Sequence, residues 1–172
     1  MISFFPLPAN IGIEPSQLWL YVSIEKQSLM LLEGIVVKKQ YQISTSKFGI
    51  GNQQGSYKTP TGWHEIAECI GHHASLGEIF KSRISTGQLY SNATEKNEDS
   101  ITTRILWLRG LEHGLNVGEG IDSYDRFIYI HGTNQEQLIG TPASFGCVRM
   151  GNSDIAEMFP IVNVKMLVLI SQ

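Results

Sequence analysis

Apolar residues recur along much of this chain at every second position, the spacing of a strand that buries one face. Leu18, Leu20, Val22 and Ile24 fall on one side of a strand from Leu18 to Ile24. A polar Glu25-Lys26-Gln27 turn leads to a second strand, Ser28 to Leu32. Glu33-Gly34 then opens a third, Ile35 to Ile43, with Ile35, Val37, Tyr41 and Ile43 on one face. The three predict a β-meander. Lys39 breaks the alternation and is expected at a strand edge or with its ammonium reaching outward.

Phe48 to Pro60 is rich in Gly, Ser and Gln and predicts a loop, ended by Gly62 before a strand from Trp63 to Ile70. His72-His73-Ala74 begins an irregular middle, in which Leu76 to Arg83 is expected to form one short helix. Ser91 to Ser100 is polar and predicts an exposed loop, whose Asn92-Ala93-Thr94 matches a glycosylation sequon without implying use. Ile101 to Arg109 predicts a strand, followed by turns at Gly110, Gly114, Gly118 and Gly120. Phe127 to Ile130 predicts a short strand that ends by delivering His131, with Phe127, Tyr129 and His131 facing one way. Asn152 or Ser153 is expected to cap a helix through Phe159, stopped by Pro160, with Asp154 favourably placed in its first turn. Val164 to Ile170 predicts a buried final strand. With no repeat and no linker, residues 1–172 read as one mostly-β domain.

At 172 residues the chain can bury a sizeable core, and 42% hydrophobic with 17% charged residues describes a folded protein. The net charge of −3, without a Lys/Arg cluster, argues against nucleic acid or an anionic membrane as partner. The start, Met1 to Pro8, has no basic flank and two prolines, and no later segment is long and apolar enough to span a bilayer. A cytoplasmic location is the expectation and the periplasm its alternative. Cys69 and Cys147 make no disulfide framework. Cys69 reads as a small apolar core residue.

Cys147 reads differently. It lies in Ser144-Phe145-Gly146-Cys147-Val148-Arg149-Met150, sixteen positions after the histidine of His131-Gly132-Thr133-Asn134. A thiolate is the attacking form of cysteine, and a nearby imidazole can take the proton. Gly146 removes a side chain where a carbonyl would approach, so the amides of Phe145, Gly146 and Cys147 are candidates for an oxyanion hole. Arg149 can bind a carboxylate by two parallel hydrogen bonds, or pair with a surface acid such as Asp154. Ser144 is expected to order the cysteine loop, and Thr133 and Asn134 to shape the loop after His131. His72, His73 and His113 raise a metal site with His131 and Cys147, but their spacings fit no zinc pattern, so neither metal nor cofactor is expected.

These residues carry a resemblance. The His-Gly dipeptide, the spacer and the Ser-x-Gly-Cys-x-Arg string resemble the L,D-transpeptidase catalytic domain (YkuD-type) family, closely from His131 to Asp154 and more loosely from Leu18 to Gly62, where Thr59-Pro60-Thr61-Gly62 is also a family feature. Residues 70–126 match no motif of that family. The resemblance implies a β-sandwich of two mixed sheets with one or two small helices. It implies Cys147 as nucleophile, His131 as general base, and the Gly132 carbonyl as the acceptor that fixes the imidazole tautomer. It further implies peptidoglycan stem peptides or muropeptides as substrate, with Arg149, Ser144 and Thr133 near the substrate, and acylation of Cys147 by carbapenems. Transfer to an amine would be L,D-transpeptidation, and transfer to water L,D-carboxypeptidase hydrolysis. Two rivals remain open at this point: a non-catalytic wall-fragment binding module, and an unrelated cysteine peptidase acting on L,L-bonds.

Overall fold

The computed structural model describes residues 17–90 and 99–172; the start of the chain and the Asn92-Ala93-Thr94 sequon lie outside them. The meander forms as β1 (Leu18–Ser23), β2 (Ser28–Glu33) and β3 (Val36–Ser44). Then come β4 (Gly62–Ile70), β5 (Glu78–Lys81), β6 (Ile84–Leu89) and β7 (Ile101–Gly110). The chain finishes with β8 (Tyr129–Thr133), β9 (Val148–Met150), helix α1 (Asn152–Met158) and β10 (Leu167–Ser171).

The mostly-β expectation holds, and the ladders are continuous. The strand order is β4-β10-β1-β2-β3-β9-β8-β7-β5-β6, and β4 also pairs with β7. Eight strands therefore close on themselves, joining the two layers of the expected sandwich into a flattened barrel. The β5–β6 hairpin extends from it. β1 pairs parallel with β10, and β8 parallel with β9; the other ladders are antiparallel.

Alternation decides what each wall shows to either side. Leu20, Val22, Ile43, Leu106, Ile130, Val148 and Met150 are buried inside the ring. Ile155 and Met158 of α1 join that interior cluster. The neighbouring positions point outward and are covered separately. Trp19, Tyr21, Trp63 and Leu169 form one outer cluster. Phe80, Ile105, Trp107 and Tyr129 form the other, with Cys147 packed against it.

Several expectations need correction. Leu76 to Arg83 is no helix: Lys81 pairs with Ile84 across a two-residue turn, Ser82 at φ 49° and Arg83 at φ 67°. Left-handed backbone at both positions suits the twist of a tight hairpin. In β3 a bulge lets Leu31 face Lys39 and Leu32 face Val37. The extra residue reverses the face of what precedes it, so Ile35 and Val37 are exposed while Tyr41 and Ile43 are buried. Lys39 does sit outward, in an ion pair with Glu157. Gly151, not Asn152 or Ser153, caps α1, because the Asn152 side chain is buried and used elsewhere. Val164 is exposed and Lys165 turns at φ 71°, so the final strand starts three residues later than expected.

Candidate active site

The barrel wall β7-β8-β9 carries the candidate residues on its outer face. His131 lies within β8 rather than just beyond it, paired in parallel with Arg149 of β9. Val148 and Met150 point into the barrel, so Arg149 and, two residues earlier, Cys147 point out. Cys147, Tyr129, His131 and Arg149 thus share one face. The β5–β6 hairpin lies along it, burying Phe80 in the cluster that contains Cys147.

The His131 ring is nearly inaccessible, and its Nδ1 lies 2.7 Å from the Gly132 carbonyl oxygen. A carbonyl only accepts, so Nδ1 carries the hydrogen and Nε2 holds the lone pair. Burial lowers the imidazole pKa, against the opposing influence of Asp99 and the Gly132 carbonyl. Gly132 is required by close approach. A Cβ there would meet the Thr102 carbonyl oxygen at 2.6 Å and Asn152 Oδ1 at 2.7 Å.

Cys147 is half-buried. The Tyr129 N–H donates to its sulfur at 3.4 Å, and the thiol donates to the Phe127 carbonyl at 3.5 Å. Burial pushes the thiol pKa up to about 12, opposed by the Tyr129 N–H and by Arg149 and Arg126. Burial thus favours the neutral form of both the thiol and the imidazole.

The turn holding Cys147 is built by two hydroxyls. Ser144 Oγ donates to the Cys147 carbonyl at 2.6 Å and accepts the Gly146 N–H at 3.2 Å. Thr59, from the Thr-Pro-Thr-Gly motif, donates to the Gly146 carbonyl and accepts the Ser46 N–H, both at 3.0 Å. The loop reading of that motif was correct, but its grip on the cysteine turn had no signal in the sequence. Gly146 sits at φ 127°, backbone that side chains rarely adopt. Because its N–H is already given to Ser144, the oxyanion candidates narrow to the amides of Phe145 and Cys147. The exposed ring of Phe145 packs with Phe48 and Tyr57 at the rim, with Lys47 Nζ 4.2 Å from its centroid.

Arg149 is engaged by protein partners. Its side chain is fully buried, donating to Asp99 at 2.7 Å, to Gln135 at 2.9 Å and to Ser44 Oγ at 3.4 Å. The ion pair forms with Asp99, not Asp154, because β9 aims the guanidinium under the segment that enters β7. Ser144 and Thr133 are also buried. The sequence placed these three residues near the substrate; in the fold each side chain is held by protein partners.

Three further residues shape the site. Asn152 accepts from Thr102 and Thr103 at 2.6 and 2.5 Å and donates to the Thr133 carbonyl at 2.8 Å, pinning β7 behind Gly132. Arg126 donates to the carbonyls of Gly51 and Lys58, and its charge favours ionised Cys147. Arg83, at the hairpin turn, lies over Trp107 and Phe127 and donates to Tyr129 Oη at 3.2 Å. Among the described residues no group of three or more His, Cys, Asp or Glu side chains is placed to hold a metal.

The structure is thus a mixed, mostly-β barrel with a thiol and a tautomer-fixed imidazole on one outer wall. The chain belongs to the L,D-transpeptidase catalytic domain family (YkuD), whose model matches residues 17–170. It is 39% identical to a putative L,D-transpeptidase, YqjB, of Bacillus subtilis (strain 168) over 56 residues, 32% of each chain. Its fold is similar to an L,D-transpeptidase from Xylanimonas cellulosilytica DSM 15894, with TM-score 0.55 and 18% identity over 98% of this chain and 65% of that one. It is also similar to L,D-transpeptidase 3 from Mycobacterium tuberculosis in complex with a faropenem-derived adduct, with TM-score 0.56 and 12% identity over 90% of this chain and 60% of that one. The chain thus spans about a third of the curated relative and less than two thirds of these solved chains.

Proposed function

We propose that the chain acts as one catalytic domain that transfers acyl groups of peptidoglycan stem peptides through Cys147. The observation that carries this reading is the 2.7 Å contact between His131 Nδ1 and the Gly132 carbonyl. It leaves Nε2 as a proton acceptor on the face of β8 and β9 that bears the sulfur. The thiol gives its proton to Nε2 as Sγ attacks the carbonyl of the L-residue before a C-terminal D-amino acid. The amides of Phe145 and Cys147 receive the developing oxyanion. Collapse breaks the C–N bond, the D-amino acid departs with the proton from His131, and a thioester to Cys147 remains. An amine acceptor completes L,D-transpeptidation; water completes L,D-carboxypeptidase hydrolysis. Penem and carbapenem acylation of Cys147 follows from the same chemistry. In the cytoplasm the donor would be a soluble muropeptide, in the periplasm the wall itself.

The test is incubation with a disaccharide tetrapeptide, followed by mass spectrometry with and without a D-amino acid acceptor. Loss or exchange of the terminal D-residue that disappears in Cys147→Ala supports the assignment. Retention of the D-residue with no mass added to Cys147 rejects it and leaves a wall-fragment binding module.

A further inference from the structure

Arg149 is sealed behind Asp99 and Gln135, so its guanidinium is spoken for, and another cation on this wall is placed to meet an anionic ligand. Arg83 is so placed. It stands at the turn of the β5–β6 hairpin, half-buried, with its guanidinium 4.8 Å from the Trp107 ring and 5.2 Å from that of Phe127. Tyr129 ties it to the thiol: the Tyr129 hydroxyl accepts from Arg83, while the Tyr129 N–H donates to Cys147 Sγ. Trp107, Tyr129 and Cys147 belong to one packed cluster, so Arg83 lies over the same floor as the sulfur.

Arg83 also lines a cavity of about 330 Å³ beneath the hairpin, walled by Ile70, Ala74, Phe80, His72 and His73. Ile70, Ala74 and Phe80 are part of the cluster that Cys147 joins, so the cavity adjoins the site. Among the described residues two carboxylates lie in this region, and both are occupied. Glu78 accepts from the Ser75 N–H and the Ser85 hydroxyl, and Glu68 accepts from the Tyr124 hydroxyl at 2.6 Å. Among the described residues Arg83 forms no ion pair and gives one hydrogen bond, although a guanidinium has five N–H donors in a fork shaped for a carboxylate.

We propose that Arg83 is the carboxylate anchor of the donor peptide, holding it over the Trp107–Phe127–Tyr129 floor beside Cys147. This subsite rests on the stem-peptide reading above. The carboxylate has two possible sources: the terminus of the departing D-residue, or a side-chain carboxylate on the residue that becomes the thioester. One extended residue spans about 3.5 Å, so either group stays near the thiol when the scissile carbonyl is engaged.

Binding to the Cys147→Ala protein, measured by calorimetry, separates this subsite from the chemistry. The probes are a stem tetrapeptide with its carboxylates free, the same peptide amidated at the C-terminus, and the same peptide amidated on the side chain. The protein is expected to prefer the free acid over one of the two amides, and that amide identifies the source. Adding Arg83→Gln is expected to weaken the free acid about tenfold or more and to leave the discriminating amide unchanged. Arg83→Lys is expected to recover part of the loss. Equal affinity for acid and both amides in the protein with Arg83 intact overturns the proposal without recourse to a variant that might misfold. So does an Arg83→Gln effect of the same size on every peptide. Arg83-dependent binding without release of a D-amino acid by the Cys147 enzyme would keep the subsite and remove the acyl-transfer reading.

Discussion

His64 makes the stability of this barrel depend on pH in a way that can be worked out in advance. The residue lies in β4 with no exposed surface. Its Nδ1 lies 2.9 Å from the Gly62 carbonyl and its Nε2 2.9 Å from Ser123 Oγ. The neutral ring satisfies both contacts, donating to the carbonyl and accepting from the serine. A protonated ring would be a buried charge with no carboxylate bonded to it. Burial accordingly lowers its pKa from 6.5 to about 4. Above pH 6.5 both folded and unfolded chains hold the ring neutral, and its contribution is fully present. As pH falls from 6.5 to 4, the unfolded chain binds a proton that the folded one refuses, and stability is lost. A drop of about 2.5 pH units, at ~1.4 kcal/mol each, amounts to about 3 kcal/mol. Domains of this kind have only about 5–15 kcal/mol in total. His131, also lowered by burial, acts in the same direction. Urea unfolding of the native protein and His64→Gln at pH 7, 6, 5 and 4 measures the effect. The carboxylates titrate in both proteins, so their contributions cancel in the comparison. The native protein should lose about 3 kcal/mol more than the variant between pH 7 and pH 4. Parallel curves would refute the reasoning.

Other consequences are as open to measurement. Thr59→Val keeps the shape but strands the Gly146 carbonyl and the Ser46 N–H; it should cost about 2–4 kcal/mol and lower kcat. An unchanged Tm would show that the hydroxyl holds nothing. Gly132→Ala drives a Cβ into the Thr102 carbonyl and should destabilise by about 1–3 kcal/mol while misaligning the acceptor of His131 Nδ1. Activity equal to the native enzyme would contradict that. Because burial favours the neutral thiol, alkylation of Cys147 by iodoacetamide should still be rising steeply above pH 9; a plateau between pH 6 and 9 would reveal a preformed ion pair instead. Asp99 raises the Cys147 pKa, so Asp99→Asn should speed alkylation at a fixed pH, and slower alkylation would reverse the assigned sign.

The parts legible in the sequence are those whose causes are local. β1, β2, β7 and β8 show their alternation because the barrel interior needs an apolar residue at every second position. The nearness of His131, on β8, to Cys147, in the turn that enters β9, was legible because the two neighbouring strands come only sixteen positions apart. The β5–β6 hairpin was not. Its turn residues, Ser82 and Arg83, are not glycine, asparagine or aspartate, and β6 is exposed throughout, with no buried face to betray it. The partners of Arg149 were hidden for a similar reason. Its partners Asp99 and Gln135 come from loops whose path depends on the closed ring. Thr59, Asn152 and Arg83 act on the site from 40 or more positions away from any residue of the cysteine motif, or through a side-chain network with no motif of its own.

The ladder between β1 and β10 joins Leu20 to Val168 and Val22 to Ile170. The first strand of the ring thus has one permanent neighbour that leaves the ribosome some 150 residues later. Until then the nascent chain exposes two open strand edges, on β1 and on β4, both flanked by large apolar side chains. Such far-reaching contact slows folding and lengthens the period in which other chains can pair with those edges. Production of this protein should therefore be sensitive to loss of residues 167–172, which supply β10.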